Sequence, residues 1–323
     1  MPDERICARE GCENPVSRKQ SNAIFCSPWC ANKAANDRRY QRPESLTPEP
    51  PPPSDLLFGR REKADLFHVE DVQEGEFAIY WADSHIPFVD WPLMGAIGKV
   101  IHDFQPRREF EVGDIQDCYD LSRFDKNPTR LTDLTDEGRQ TVTLIDHHKS
   151  LAPDMEQYFD PGNHGDRLQS WLCRNAGSLY GLKDVDTGEP ILSIPSLLKL
   201  KERGVHYYPF TSRLDYQGFI ITHGPKRGGG GKLCAKWMGD YIRSSGVCFH
   251  FHRNQSYSWI GDRGQPQTFY AVGPTCTLDP DYLPFPDWHQ GFGYSRVING
   301  KVHFQHVHVF DRRFTVEGKV YKY

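Results

Sequence analysis

The chain has 323 residues, 37% hydrophobic and 25% charged, which excludes both a disordered and a fibrous polymer. Mean hydropathy is −0.66, and no apolar run reaches the roughly 18–20 residues of a membrane span or forms a leader behind Met1-Pro-Asp-Glu-Arg, so the expectation is cytoplasmic with no membrane partner. The formal net charge of −4 is unevenly placed: residues 1–42 carry eight Lys/Arg against five Asp/Glu, net +3, and the remainder nets −7.

In chain order, the first feature is a cysteine cluster. Cys7, Cys12, Cys26 and Cys30 follow the spacing Cys-x4-Cys, thirteen residues, Cys-x3-Cys, while the other five cysteines are scattered. Clustering without a secretion signal reads as metal binding rather than as a disulfide framework. Four thiolates complete a tetrahedral shell for one structural zinc, whose binding energy becomes folding energy in a piece too small to bury a core. The second cysteine pair runs into a basic helix carrying Lys33 and Arg38, with Arg39 and Arg42 on or just past it, and this resembles a treble-clef zinc finger. Six prolines between 41 and 54 then favour extended polyproline II. The expected organisation is a zinc-binding module over 1–40, a Pro-rich linker over 41–65 and a main domain over 66–323.

The main domain alternates strands and helices. Strands are expected at Phe77-Ala-Ile-Tyr-Trp-Ala, Arg108-Glu-Phe-Glu-Val, Met155-Glu-Gln-Tyr-Phe, Phe219-Ile-Ile-Thr and Gly246-Val-Cys-Phe. Helices are expected over 91–104, near 132–150 and near 232–244. From Tyr257 onward the pattern is strands and turns, with a hairpin at Val297-Ile-Asn-Gly-Lys-Val. Alternation followed by a β-rich tail predicts an α/β fold, a layered β-sandwich flanked by helices.

Each of the five strands ends on ligand-type residues: Asp83-Ser-His85, Gly113-Asp114-Ile-Gln-Asp117, Pro161-Gly-Asn163-His164-Gly-Asp-Arg167, Thr222-His223-Gly and His250-Phe-His252. Carboxyl ends of strands are where α/β sheets place their sites. Carboxylate, imidazole and amide oxygen together suit borderline divalent ions, Mn, Fe or Zn, rather than calcium.

In this order and spacing, from about Phe77 to Arg253, the motifs resemble the calcineurin-like metallophosphoesterase family. Gly113-Asp-Ile-Gln-Asp-Cys-Tyr-Asp-Leu-Ser-Arg-Phe and Trp288-His-Gln-Gly-Phe-Gly are most similar to bacteriophage versions, which implies a host-cell cytoplasm. The resemblance implies a β-sandwich around a two-metal centre. Asp83, His85 and His252 would hold one ion, Asn163, His223 and His250 the other, and Asp114 would bridge. Such a pair can clamp a phosphoryl group and lower the pKa of a water towards neutrality, giving a hydroxide that attacks phosphorus in line. His164 would stabilise the transition state or protonate the leaving oxygen, and Arg167 would grip phosphate. The family usually has glycine before the last His-x-His pair, where this chain has Phe249.

Other candidates read more plainly. Asp117 is equally suited to capping, core hydrogen bonding or the metal site. Asp146-His147-His148 is expected to be solvated, and His306 and His308 to form a surface pair. The run Gly228–Lys232 fails as a phosphate loop, because Lys226 and Leu233 stand where glycine and Ser/Thr are needed. Its cations could still steer an anion. Residues 176–203 match no motif and read as an insertion.

Three functions compete. The first is a phosphodiesterase or nuclease acting on DNA or RNA, motivated by the basic module. The second is a phosphomonoesterase or small-nucleotide phosphodiesterase with the zinc module as a docking element, motivated by the acidic main domain. The third is a non-catalytic zinc-dependent binding protein.

Overall fold

A computed structural model describes residues 6–8, 11–16, 25, 27, 30–34, 65–123, 133–225, 233–262, 264–279 and 286–323. Cys26, Arg38, Arg39, Arg42, the Pro-rich tract and the cations around the 228–231 glycine run lie outside them. The chain divides into two compact units, Met1–Gly59 and Arg60–Tyr323. In the first, Cys7, Cys12, Val16 and Cys30 are buried together with Phe25 against them, Ile6 bridges Pro15, and residues 30–34 form a helical turn.

The second unit is built on two six-stranded sheets. One has the order β12-β11-β2-β3-β4-β5, with β2 (Phe77–Trp81), β3 (Arg108–Val112), β4 (Glu156–Asp160) and β5 (His206–Tyr207) parallel. Its other edge is the hairpin of β11 (Gly291–Ile298) and β12 (Lys301–His308), turning at Asn299-Gly300 as the sequence predicts. The second sheet has the order β1-β6-β7-β8-β10-β9. It comprises β1 (Leu66–His68), β6 (Arg213–Tyr216), β7 (Phe219–Thr222), β8 (Gly246–Cys248), β9 (Gln255–Ile260) and β10 (Pro266–Ala271). A terminal hairpin pairs β13 (Arg313–Val316) with β14 (Lys319–Lys322).

The strand period of two decides which layer each side chain joins. Tyr80, Phe110 and Val112 face the other sheet and meet Tyr216, Ile221 and Val247 in a shared core, with Phe110 and Tyr216 rings 5.5 Å apart. Phe77, Ile79 and Trp81 face the helices. Helix α1 (Trp91–Phe104) starts where Asp90 accepts a hydrogen bond from Leu93 N and buries Leu93, Ile97, Val100 and Ile101. Helix α2 (Leu134–Leu151) is capped by Asp133, and α3 (Gly162–Asn175) buries Leu168 and Leu172 beside them. The short α4 (Ile194–Leu197) puts Ile194 into the same core, joined by Leu198 and Leu200. The unassigned 176–203 segment thus contributes core as well as surface. Helix α5 (Cys234–Ile242) covers the second sheet through Ala235 and Met238. The expected layered α/β sandwich flanked by helices is the observed architecture.

Strand β3 is unusual: Arg108, Glu109 and Glu111 are all fully buried. Arg108 bonds Glu76, and Glu109 accepts from Trp81 Nε1 and Gln157 Nε2 and pairs with His148 Nδ1 at 2.6 Å. His148 was expected to be solvated; it is instead wholly buried, because the helix turns it inward onto a carboxylate that needs a partner. Asp146 and His147 are exposed, as expected.

Candidate metal centre

The parallel strands β2, β3 and β4 in one sheet and β7 and β8 in the other deliver their carboxyl ends to one rim. There the backbone turns sharply. Asp83, His85, Asp114, His250 and His252 all have left-handed backbone, with φ of 52°, 46°, 52°, 68° and 55°. Non-glycine residues avoid this region, at a cost of about 1–3 kcal/mol each, and such strain clusters at functional sites. Two glycines make the approach possible. A Cβ on Gly113 would lie 2.3 Å from His223 Nδ1, and one on Gly162 would lie 2.1 Å from both the amide nitrogen and Oδ1 of Asp114.

Asp83, His85 and His252 form the first group of converging atoms. His85 Nε2 and His252 Nε2 are 3.2 Å apart, and Asp83 Oδ1 lies 3.4 Å from the latter and 3.9 Å from the former. Asp83 Oδ2 accepts from His250 N at 2.9 Å, but Oδ1 is fully buried without a hydrogen bond. Burial pushes the Asp83 carboxyl up, yet the neighbouring His252 and His223 outweigh it and keep the group ionised. A buried carboxylate oxygen aimed between two imidazole nitrogens with no donor is what a cation would complete.

Asp114, His223 and His250 form the second. His223 Nε2 lies 3.2 Å from Asp114 Oδ2 and 3.2 Å from Asn163 Oδ1, while its Nδ1 donates to Val112 O at 2.8 Å. That bond fixes the tautomer and aims Nε2 inward. Burial pulls His223 down, but the Asp114 carboxylate outweighs it and raises the ring to about 10. His250 is pulled down to about 4 by burial and by His223, so it stays neutral, as a ligand must be. Its ring is 5.2 Å from that of His223. Phe249, in place of glycine, does not disturb this. It is wholly buried between the sheets and its amide donates to His223 O at 3.1 Å. The left-handed residue is His250 itself, so no glycine is needed before it. Asp114 falls with the second group, and its Oδ1 accepts from His164 N at 2.7 Å.

His164 and Arg167 lie at the mouth, both partly exposed. His164 Nδ1 meets Asp117 Oδ1 at 2.8 Å, and the same oxygen faces His85 Nδ1 at 3.4 Å. Arg167 donates to Asp117 O at 2.6 Å and to His164 Nε2 at 3.0 Å. Burial pushes the Asp117 carboxyl up, but His164 and His85 outweigh it and hold it well below the usual range. Asp117, left open in the sequence, thus orients two histidines, one in the first group and one beside it. The signal was its place three residues after Asp114, facing the same rim. Trp288 went without a role, and its ring sits 4.2 Å from that of His252.

Elsewhere, Cys7, Cys12 and Cys30 bring their sulfurs together, Cys12 and Cys30 at 3.9 Å, while Cys26 lies outside the described residues. His306 and His308 share a face, rings 4.4 Å apart, with His306 half-buried on Asn254 Oδ1 and His308 exposed. No helix among the described residues is long and apolar enough to cross a membrane.

No protein-family model matches the chain. Gene 54 protein of Mycobacterium phage D29 is 26% identical over 261 residues, 75% of this chain and 96% of that protein. Among solved structures, the chain is similar to a dimetal phosphatase of Danio rerio, at a TM-score of 0.39 and 9% identity over 72% of this chain and 96% of the other. It is also similar to vacuolar protein sorting 29 of Cryptosporidium parvum, at a TM-score of 0.38 and 13% identity over 77% and 95%.

Proposed function

We propose that the chain is a two-metal-dependent phosphoester hydrolase, a phosphodiesterase or nuclease acting on nucleic acid. The observation that carries the reading is the pair of converging ligand groups, with the unbonded, buried Asp83 Oδ1 at the heart of one. Asp83, His85 and His252 hold one divalent ion, and Asp114, Asn163, His223 and His250 the other. The nitrogen and oxygen donor set fits Mn, Fe or Zn. Bound there, the ions supply Lewis acidity that activates a water and neutralises phosphoryl charge.

The remaining chemistry belongs to the protein. Asp117 takes the Nδ1–H of His164, which leaves Nε2 as the ring atom that exchanges a proton with the leaving oxygen. Arg167, resting on that Nε2, is within reach to turn its planar donors onto an incoming phosphate. The left-handed backbone at five site residues keeps the donors in place before substrate arrives. The three clustered cysteines support a structural zinc with Cys26 as fourth ligand, and the phage relative supports work in a host-cell cytoplasm.

Metal analysis beside a substrate panel tests this. The expected result is three metals per chain and hydrolysis of DNA or RNA with Mn present. Activity on p-nitrophenyl phosphate with no cleavage of any nucleic acid would instead favour the small-substrate reading, which the net −7 of the chain beyond residue 42 supports.

A further inference from the structure

A run of aromatic rings leads away from the metal centre. The His250 ring lies 5.3 Å from Phe251, Phe251 lies 6.4 Å from Trp237, and Trp237 lies 5.8 Å from Tyr241. The last two stand four residues apart on α5, so they share a face, and their rings are parallel within 3°. Beyond them the Arg213 guanidinium sits 5.3 Å from the Tyr241 centroid. Core packing accounts for part of this run: Phe251 and Trp237 rest on the α5 core. It does not account for Tyr241, which is 61% exposed and held flat beside Trp237 in water.

We propose that this run is a base-stacking track for single-stranded nucleic acid entering or leaving the metal centre. The proposal rests on the phosphodiesterase reading and narrows its substrate to single strands. A duplex hides its base faces, whereas a single strand offers a π-face at every nucleotide, which ring platforms accept with little regard to sequence. A guanidinium stacked on the outermost ring keeps its edge donors free for backbone phosphate. The arrangement also answers the charge problem. A chain that nets −7 beyond its basic first piece cannot hold a polyanion by blanket attraction, and stacking supplies affinity that does not depend on net charge.

Binding is measured on the full chain with labelled phosphorothioate strands of about 12 nucleotides, a length within known site sizes. DNA, RNA and duplex are compared by fluorescence anisotropy. Single strands of either sugar are expected to bind more tightly than duplex. Tyr241→Ala is expected to weaken single-strand binding about 10-fold, and Tyr241→Phe to stay within about twofold of the native chain. Because Tyr241 is largely exposed, neither change threatens the fold. Unaltered affinity in Tyr241→Ala, or a preference for duplex, would overturn the track. Cleavage of unmodified strands with Mn is scored separately. A native chain that binds single strands through Tyr241 but cleaves none would end the phosphodiesterase reading and leave the track standing.

Discussion

One carboxylate oxygen of Asp117 serves two histidines: Oδ1 lies 2.8 Å from His164 Nδ1 and 3.4 Å from His85 Nδ1. Behind it, Arg167 is tied to the backbone oxygen of the same residue at 2.6 Å. On the proposed reading Asp117 is therefore a positioning residue, acting through His85 at the metal centre and His164 beside it. Asp117→Asn keeps the size but swaps an acceptor for an amide that can present a donor to either ring. Outer partners of this kind are worth about 10–100-fold in metal affinity or activity. We expect kcat to fall in that range with KM little changed. A normal kcat, or a fall matched by an equal loss of stability, would show that Asp117 only packs the loop.

Much of this site was legible because the strands announce their own ends. Asp83, His223 and His250 each follow a largely apolar run, and Asp114 follows the Gly113 that closes the Glu-rich strand, so strand ends alone place all four on one rim without knowledge of the crossovers. What the sequence hid was pairing between distant segments. Nothing near Glu109 or His148 in the chain says that they meet, so the His-rich helix end read as solvent-facing. Phe249 misled in the opposite sense. A glycine there matters only if that residue turns left-handed, and in this chain the turn falls one position later, at His250. Such a shift is invisible to composition, and Phe249 itself is wholly buried between the sheets.

Gly162 is where a single methyl group should do most damage. Its φ is +66°, and a Cβ would fall 2.1 Å from Asp114 N and Oδ1, atoms fixed by strand β3 and by the bond from His164 N. Gly162→Ala must displace either Asp114 or the start of α3 that carries Asn163 and His164. We expect a loss of about 1–3 kcal/mol from the backbone alone. Activity should fall at least about 100-fold, since misplacement of reacting groups by an ångström costs that much. Urea unfolding and metal content per chain check the two effects independently.

On the proposed reading, His223 should set the pH dependence of metal uptake. In the metal-free chain the Asp114 carboxylate outweighs burial and holds the proton on this ring up to about 10. A raised histidine value means stability that is present in full below the unfolded pKa of about 6.5 and lost as pH rises through about 10. The metal-free Tm should therefore decline between pH 7 and 10. A cation at Nε2 must displace the same proton. Calorimetric titration with Mn at pH 8, in two buffers of different ionisation enthalpy, should register about one proton released for the second ion bound. His223→Asn should abolish that release. Uptake with no proton exchanged would mean that His223 is neutral beforehand and that Asp114 is compensated elsewhere.

Arg108 offers a test of stability far from the chemistry, at the opposite end of β3 from Asp114. It is wholly buried, with Nη1 at 3.0 and 3.3 Å from the two Glu76 oxygens and Nη2 at 2.5 Å from Glu70 O. Tyr216, on the second sheet, donates its hydroxyl to Glu76 as well, so the ion pair ties the two sheets together. Removing one partner strands the other charge in the core, a loss of about 3–5 kcal/mol, whereas replacing both with well-packed apolar side chains is often neutral. We expect Glu76→Ala to lose about 3 kcal/mol, with the more distant Glu156, 3.5 Å from Arg108, softening the loss. Joining Glu76→Leu to Arg108→Met should recover most of it. Metal content should match the native chain in both, because neither residue approaches the rim. Equal destabilisation of the single and the double variant would mean that the ion pair itself, rather than the filling of the space between the sheets, fixes their packing.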